Sequence, residues 1–492
     1  MPPNSTDSTG TSGGSPPSSA KSTLTVGLSY LPADPDPAVG SDGTPAILWR
    51  QVFDTLTTYT GKSTKPVADL ATSWQSSNTA KQWTFKIAAG KKFHDGSAVT
   101  AKAVCDNYDF WNSATGEKQQ QLGDWGYFFY GFKGQPSDRY SSCKASGDSA
   151  VMTFSKPMPS LPDIVSQITF SIHSPASLRG TKPVGSGPYK WVSGTEQRVQ
   201  LAAVAPGITP KITMLAISDP HAGASVVASG AVDLYYSLSP DRPAVQSGAT
   251  IAAPPADHLA TIDLLGAKGP LADATTRTAI LSALDTGKIT KILGADLTKS
   301  ALPGVFNGPP LAVPVFNAAA AKKLLQGKKI GTLVMELRGG DAFTAGDQQI
   351  GQLIKAQLAA VGVTLKLVVA PSVSAYYTAI QDGKSDLWVA RIQAYSGDLV
   401  EIADAYAQGA VYQAAVPAAS KAAFDTKMNA ALDGPDPQAR SSLSVALLSQ
   451  LVAEHSVLPL FSYGGSWVVS DAVSGFRTTA FNQVQLQGVT VH

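Results

Sequence analysis

The chain has 492 residues, enough for two or three hydrophobic cores. Apolar residues make up 43% and charged residues 15%, and the net charge of +2 argues against a nucleic-acid footprint, which needs a clustered basic face. No window approaches the roughly 18 unbroken apolar residues of a membrane-spanning helix.

In chain order, residues 1–22 are nearly all Ser, Thr, Gly, Pro and Asn. Such a segment buries too little surface to offset its ordering entropy, and a disordered tether is expected. It carries no basic n-region followed by an apolar core, so no signal peptide is expected in this chain. Residues 24–28 alternate as a first strand. Trp49, Val52, Phe53 and Leu56 stand at helical spacing and predict a helix over 49–59. In 83–104, Trp83, Phe85 and Ile87 share one face of a strand. A Gly-Lys-Lys turn follows, then Phe93-His94-Asp95-Gly96 and a helix start capped by Thr100. A dense aromatic run comes next, with Trp125, Tyr127, Phe128, Phe129 and Tyr130 among glycines. Phe128 and Phe129 suit a core. Trp125, Tyr127 and Tyr130 are candidates for a cleft wall, because such rings offer rigid apolar area with a polar edge.

Residues 150–159 predict a strand ended by Lys156-Pro157-Met158-Pro159. Gly185-Ser186-Gly187-Pro188-Tyr189 is a loop whose glycines permit positive φ, before a strand at 189–192. Around 263–266 the pattern changes to a second unit. A helix with Ile280, Ala283 and Leu284 on one face follows, then another over 318–325. Strand 330–337, helix 345–361 and strand 363–369 form a βαβ passage punctuated by Gly362, which favours an α/β lobe with a mixed sheet. Residues 385–392 read as a buried strand and 395–398 as the loop after it.

Catalytic patterns are weak. His94 and Asp95 form a lone pair in a turn, and the six histidines show no metal-ligand spacing. No P-loop or nucleophile elbow occurs, so neither catalytic nor metal-ligating residues nor any cofactor is assigned.

Several of these segments, in their order and spacing, resemble the family 5 extracellular solute-binding proteins, receptors of oligopeptide-type ABC importers. They are the 83–104 stretch, Ala68-Asp69-Leu70-Ala71-Thr72-Ser73-Trp74, Gly185-Ser186-Gly187-Pro188-Tyr189, Gly230-Ala231-Val232-Asp233, the helix from Arg277 to Asp285 and the 451–463 return. Ser186 replaces the family's Thr, Ala231 replaces its Glu, and an Asn-x-x-Tyr/Trp element is missing before 210.

The resemblance covers about 24–476 and implies an α/β, two-lobe periplasmic-binding-protein fold of the large, three-subdomain type, with mixed sheets and an interlobe cleft. Lobe one is expected over 23–260, with an extra subdomain at about 60–180, lobe two over 261–467, and a return to lobe one over 468–492. The resemblance further implies an extracytoplasmic monomer, trimmed of its leader and of a lipid-anchored Cys, that binds a short peptide or peptide-like, amine-bearing solute and docks on ABC permease subunits.

In peptide-binding members an Asp in the loop after the 385–392 strand pairs with the ligand's ammonium, beside an Arg on that strand. Arg391 fits the Arg. Asp398 fits the Asp if one residue is inserted, whereas an ungapped reading places Tyr395 there. Leu399 stands where the family has Pro. Tyr30, after the first strand, and Trp467, near the return, are further ligand-contact candidates. For an exported chain, Cys105 and Cys143 suggest one disulfide, worth roughly 4 kcal/mol in the chain-entropy model; two buried free thiols are the alternative. The competing functions are a hydrolase using the same cleft and a solute sensor without transport.

Overall fold

The computed structural model describes residues 21–39, 43–77, 79–178, 180, 182–238, 247–292, 297–311, 313–339 and 343–492. Apart from Lys21 and Ser22, the expected tether lies outside the described residues.

Three larger sheets organise the chain. The first has seven strands in the order Ala249–Ala252, Ser466–Ser470, Leu234–Ser237, Thr23–Leu28, Lys211–Ala216, Arg198–Ala203 and Tyr189–Gly194. Its central strand forms because Leu24, Val26 and Leu28 alternate onto one fully buried face, and it runs parallel to both neighbours. The second sheet has five strands: Thr364–Val369, Thr332–Leu337, Leu387–Gln393, His258–Leu264 and Val457–Tyr463. The expected βαβ unit is here, with Thr332–Leu337 parallel to Thr364–Val369 and the helix Thr344–Ala360 between them. Gly362 takes φ 85° just after that helix.

The third sheet is antiparallel, ordered Ala71–Ser76, Gln82–Ile87, Ser149–Phe154 and Tyr140–Ser146. Trp83, Phe85 and Ile87 point inward from it, as expected. The helix Ala101–Asn112 packs on its inner face and starts where Thr100 Oγ1 accepts the Ala103 N–H at 3.1 Å. A disulfide joins Cys105 of that helix to Cys143 of the neighbouring strand, Cα to Cα 5.0 Å.

The chain passes between the first two sheets twice: from Ala249–Ala252 to His258–Leu264, and back from Val457–Tyr463 to Ser466–Ser470. The two crossings touch, since a Cβ on Gly464 would lie 3.1 Å from Pro255 O. The expected boundary at 260/261 falls inside a strand of the second sheet, and the return to the first sheet comes at 464–465.

Two local expectations need correction. The helix expected over 49–59 is Thr44–Val52; Phe53 is extended, and the Thr-rich continuation pairs Thr57–Thr58 with Val67–Ala68. β-Branched Thr55, Thr57 and Thr58 favour that outcome over helix. In the 185–189 loop, Gly185 and Gly187 do not take positive φ. They are small because the loop lies against the end of the helix Thr44–Val52: a Cβ on Gly185 would sit 2.1 Å from Val52 O.

Candidate ligand-binding site

One cavity lies where the first two sheets and segments flanking the third come together. It is lined by Arg50 and Ala46 of the helix Thr44–Val52, Asp124 of the helix Gly123–Phe128, Gln167, Ile168 and Thr169 after the third sheet, and Tyr236 of the first sheet. Asp257 from one crossing, Gln393 and Tyr395 at the end of the second-sheet strand, and Phe481, Asn482 and Gln483 from the C-terminal segment complete it. The space is about 570 Å³ including its mouth.

Arg50 is set into the cavity by a helix whose Ile47, Leu48, Trp49 and Val52 are buried in the core under the first sheet. Only 5% of the residue is exposed. Its Nη2 donates to Ser166 O at 2.5 Å, and among the described residues it forms no ion pair. Burial pushes its pKa down to about 10, against the attraction of Asp69 and Asp54. Those carboxylates are held elsewhere. Asp54 accepts Ser186 Oγ and pairs with Lys91, both at 2.9 Å. Asp69 accepts the Thr55 N–H at 2.9 Å.

Negative charge enters from Asp124 and Asp257. The Asp257 carboxylate accepts from His258 Nδ1 at 2.7 Å, and its carbonyl accepts the Ala394 N–H at 2.7 Å, which fixes the approach of the second-sheet strand end. Asn482, at φ 53°, accepts the Trp467 Nε1–H at 3.0 Å.

Of the sequence-predicted residues, Tyr395 lines this cavity, with its ring 6.1 Å from that of Phe128. The others sit elsewhere. Asp398 is taken by Arg440 and also accepts the Val400 N–H at 3.1 Å, just before the next short helix. Arg391 is paired with Asp347 and lies 4.4 Å from the Phe343 ring centroid. Trp125 is 2% exposed and stacks on Phe129 at 4.1 Å, so it is core rather than cleft wall. Trp467 is fully buried against Tyr236, one layer behind the cavity. Tyr30 is 43% exposed and outside the lining. Tyr127 and Tyr130 stand where the third-sheet unit meets the second half, Tyr130 Oη donating to Asp404 Oδ2 at 3.2 Å.

His94 is likewise structural. Its Nε2–H donates to Gly187 O at 2.9 Å, and burial lowers its pKa, so the ring is the neutral tautomer bearing its proton on Nε2.

Arg50, Asp124 and Asp257 escape sequence reading because no motif marks them. The one available signal is Arg50, a lone charge within the apolar run Ile47-Leu48-Trp49-Arg50-Gln51-Val52-Phe53.

Two mixed sheets joined by a double crossing, with a polar cavity where their elements meet, define a cleft-binding protein. Residues 65–413 match the family model described as bacterial extracellular solute-binding proteins, family 5 middle, and the chain belongs to that family. An 88-residue segment is 36% identical to the probable D,D-dipeptide-binding periplasmic protein DdpA of Escherichia coli K12, spanning 17% of this chain and 17% of that protein. The fold matches NikA from Brucella suis, solved in complex with Fe(III)-EDTA, at TM-score 0.80 and 20% identity over 96% of this chain and 100% of that one. It also matches DppA from Helicobacter pylori, in complex with the peptide STSA, at TM-score 0.75 and 19% identity over 94% and 98%. Among the described residues, no helix is long and apolar enough to cross a membrane.

Proposed function

We propose that the chain is the extracytoplasmic receptor of an ABC importer and captures a short peptide or peptide-like, amine-bearing solute in the cavity. The two crossings act as the hinge between lobes, and the closed monomer docks on permease subunits. No bond in the solute is made or broken. The observation carrying this reading is one cavity bounded by strands of the first two sheets, one of the crossings between them, and segments that flank the third sheet, with two carboxylates and a guanidinium in its lining. Asp257, which accepts from His258, brings a carboxylate to the lining that can add a charge-assisted bond to a solute ammonium. A space of about 570 Å³, mouth included, suits a short solute rather than a long peptide.

Calorimetric titration and small-angle scattering against a dipeptide panel test the reading. Binding should give saturable heat, a smaller radius of gyration, and added stability of about 3 kcal/mol at a hundredfold excess over Kd. A panel that changes neither heat nor radius rejects peptide capture.

A further inference from the structure

We infer that the face of the second half bearing the helix Ala318–Leu325 is a docking surface for an anionic phospholipid membrane. Four of the eight residues 322–329 are lysines, in a chain whose net charge is only +2. Lys322, Lys323, Lys328 and Lys329 all line one open groove, and among the described residues no acidic side chain lines it with them. Lys328 pairs with Asp273 at 2.6 Å, while the other three form no ion pair among the described residues.

The helix has two faces. Ala321 and Leu325 are buried in the core beneath the second sheet, whereas Lys322, Lys323 and Leu324 are exposed. Gly327, at φ 77°, turns the chain after the helix, so the second lysine pair joins the first along the groove. Just before the helix, Val315 is 82% exposed and Phe316 46%, and Leu324 near its end is 38% exposed. The helix between them is only about 12 Å long. One exposed apolar side chain is ordinary. Three of them within ten residues, beside four lysines, make the combination that interfacial membrane sites use: apolar tips enter the headgroup boundary while cations meet lipid phosphates. The same composition disfavours a protein partner. Protein interfaces are enriched in Arg and depleted in Lys, and the groove has no arginine in its lining. An ammonium on a flexible stem suits mobile headgroups better than a fixed carboxylate. The face shares no residue with the lining of the solute cavity, so this inference stands apart from the capture reading.

The test is co-sedimentation of the full chain with vesicles of phosphatidylcholine alone or with about one third phosphatidylglycerol. The wild type should bind the anionic vesicles only, and raising salt from about 0.05 M to about 0.5 M should release it. Lys322→Gln, Lys323→Gln and Lys329→Gln together should weaken binding at least about twentyfold. Val315→Ser with Phe316→Ser should weaken it about fivefold or more. Lys81→Gln, Lys133→Gln and Lys144→Gln, exposed lysines of the third-sheet unit, remove the same charge and should change it less than about twofold. All these variants should melt with the wild type, since every altered side chain is exposed.

Binding to neither vesicle, or to both alike, overturns the assignment. So does an equal loss in the two lysine triples, which reduces the effect to net charge. Inorganic phosphate that displaces the protein far better than chloride at equal ionic strength makes the groove a site for a single anion and overturns the membrane. Capture of an oligoglutamate peptide by the groove lysines, without vesicle binding, overturns it in favour of an acidic protein segment.

Discussion

At the residue scale, the cavity proposed as the solute site depends on a contact between two backbones. The 185–189 loop is bonded to the end of the Arg50 helix through Gly187 N to Val52 O at 2.9 Å, and to the 93–96 turn through His94 N to Gly185 O at 2.9 Å. A Cβ on Gly185 would also lie 2.7 Å from the Phe53 ring, and one on Gly187 would lie 2.8 Å from Gln51 O. Backbone oxygens do not move aside as side-chain ends do. Gly185→Ala should therefore destabilise the fold by about 2–4 kcal/mol in urea denaturation, and the variant that remains folded should bind solute more weakly because the helix carrying Arg50 shifts. Unchanged stability would show that the loop has room. The glycines are thus legible in the sequence as a motif, while the reason for them is tertiary. Tyr395 is legible in the same way, from its place after a buried strand. The pairing of Asp398 and Arg391 is not legible, because their partners, Arg440 and Asp347, are remote in sequence and nothing local reveals that a charge already has one.

At the element scale, the third sheet and its helix form a unit tied by Cys105–Cys143, which encloses 38 residues of separation. Both cysteines are buried in the same core cluster as Trp111, Trp125 and Phe129. In the chain-entropy model a loop of this length is worth about 4 kcal/mol, so Cys105→Ala with Cys143→Ala should cost roughly 3–4 kcal/mol in thermal or urea melts. A loss within about 0.5 kcal/mol would mean that the surrounding aromatic packing alone fixes the helix on the sheet. The elements legible beforehand are those with clean alternation or amphipathic spacing, such as Trp83, Phe85 and Ile87, or the βαβ unit. The strand Tyr140–Ser146 was not legible, because Tyr-Ser-Ser-Cys-Lys-Ala-Ser carries little hydrophobic signal and is a strand by virtue of the ladder that Ser149–Phe154 offers it. The helix at 49–59 was overextended for the converse reason: its spacing is helical, yet the threonines after Phe53 found a strand partner.

At the scale of the whole molecule, carboxylates gather where the third-sheet unit meets the second half, the junction that the proposed closure would form. Where the third-sheet unit meets the second half, Tyr59 Oη donates to Asp163 at 2.5 Å and accepts the Gly397 N–H at 3.0 Å, and Gln167 donates to Glu401 at 3.4 Å. Arg139 pairs with Asp433 at 2.8 Å, and Arg440 bridges Asp398 and Ser160. Burial, aided by the Asp398 charge, pushes the Asp163 pKa up to about 7; burial pushes Asp404 up to about 6 and Glu401 well above the usual carboxylate range. Arg139, Arg440 and the hydroxyls of Tyr59, Tyr127 and Tyr130 face the same groups and offset only part of this. Raised carboxylate pKa values mean that the joined state holds protons the separated halves release. The contribution to closure is therefore complete near pH 4 and is lost as pH rises through 6 to 7. The unliganded protein should have a larger radius of gyration at pH 8 than at pH 5.5 by small-angle scattering, and Asp163→Asn with Asp404→Asn should flatten the difference by removing the charges that repel. Global melting is a poorer readout, because His94 and His173, whose pKa values burial lowers, oppose acidification from inside the first half. A radius independent of pH in the wild type would mean that water or the two arginines screen the cluster fully, and that the hinge is set by solute alone.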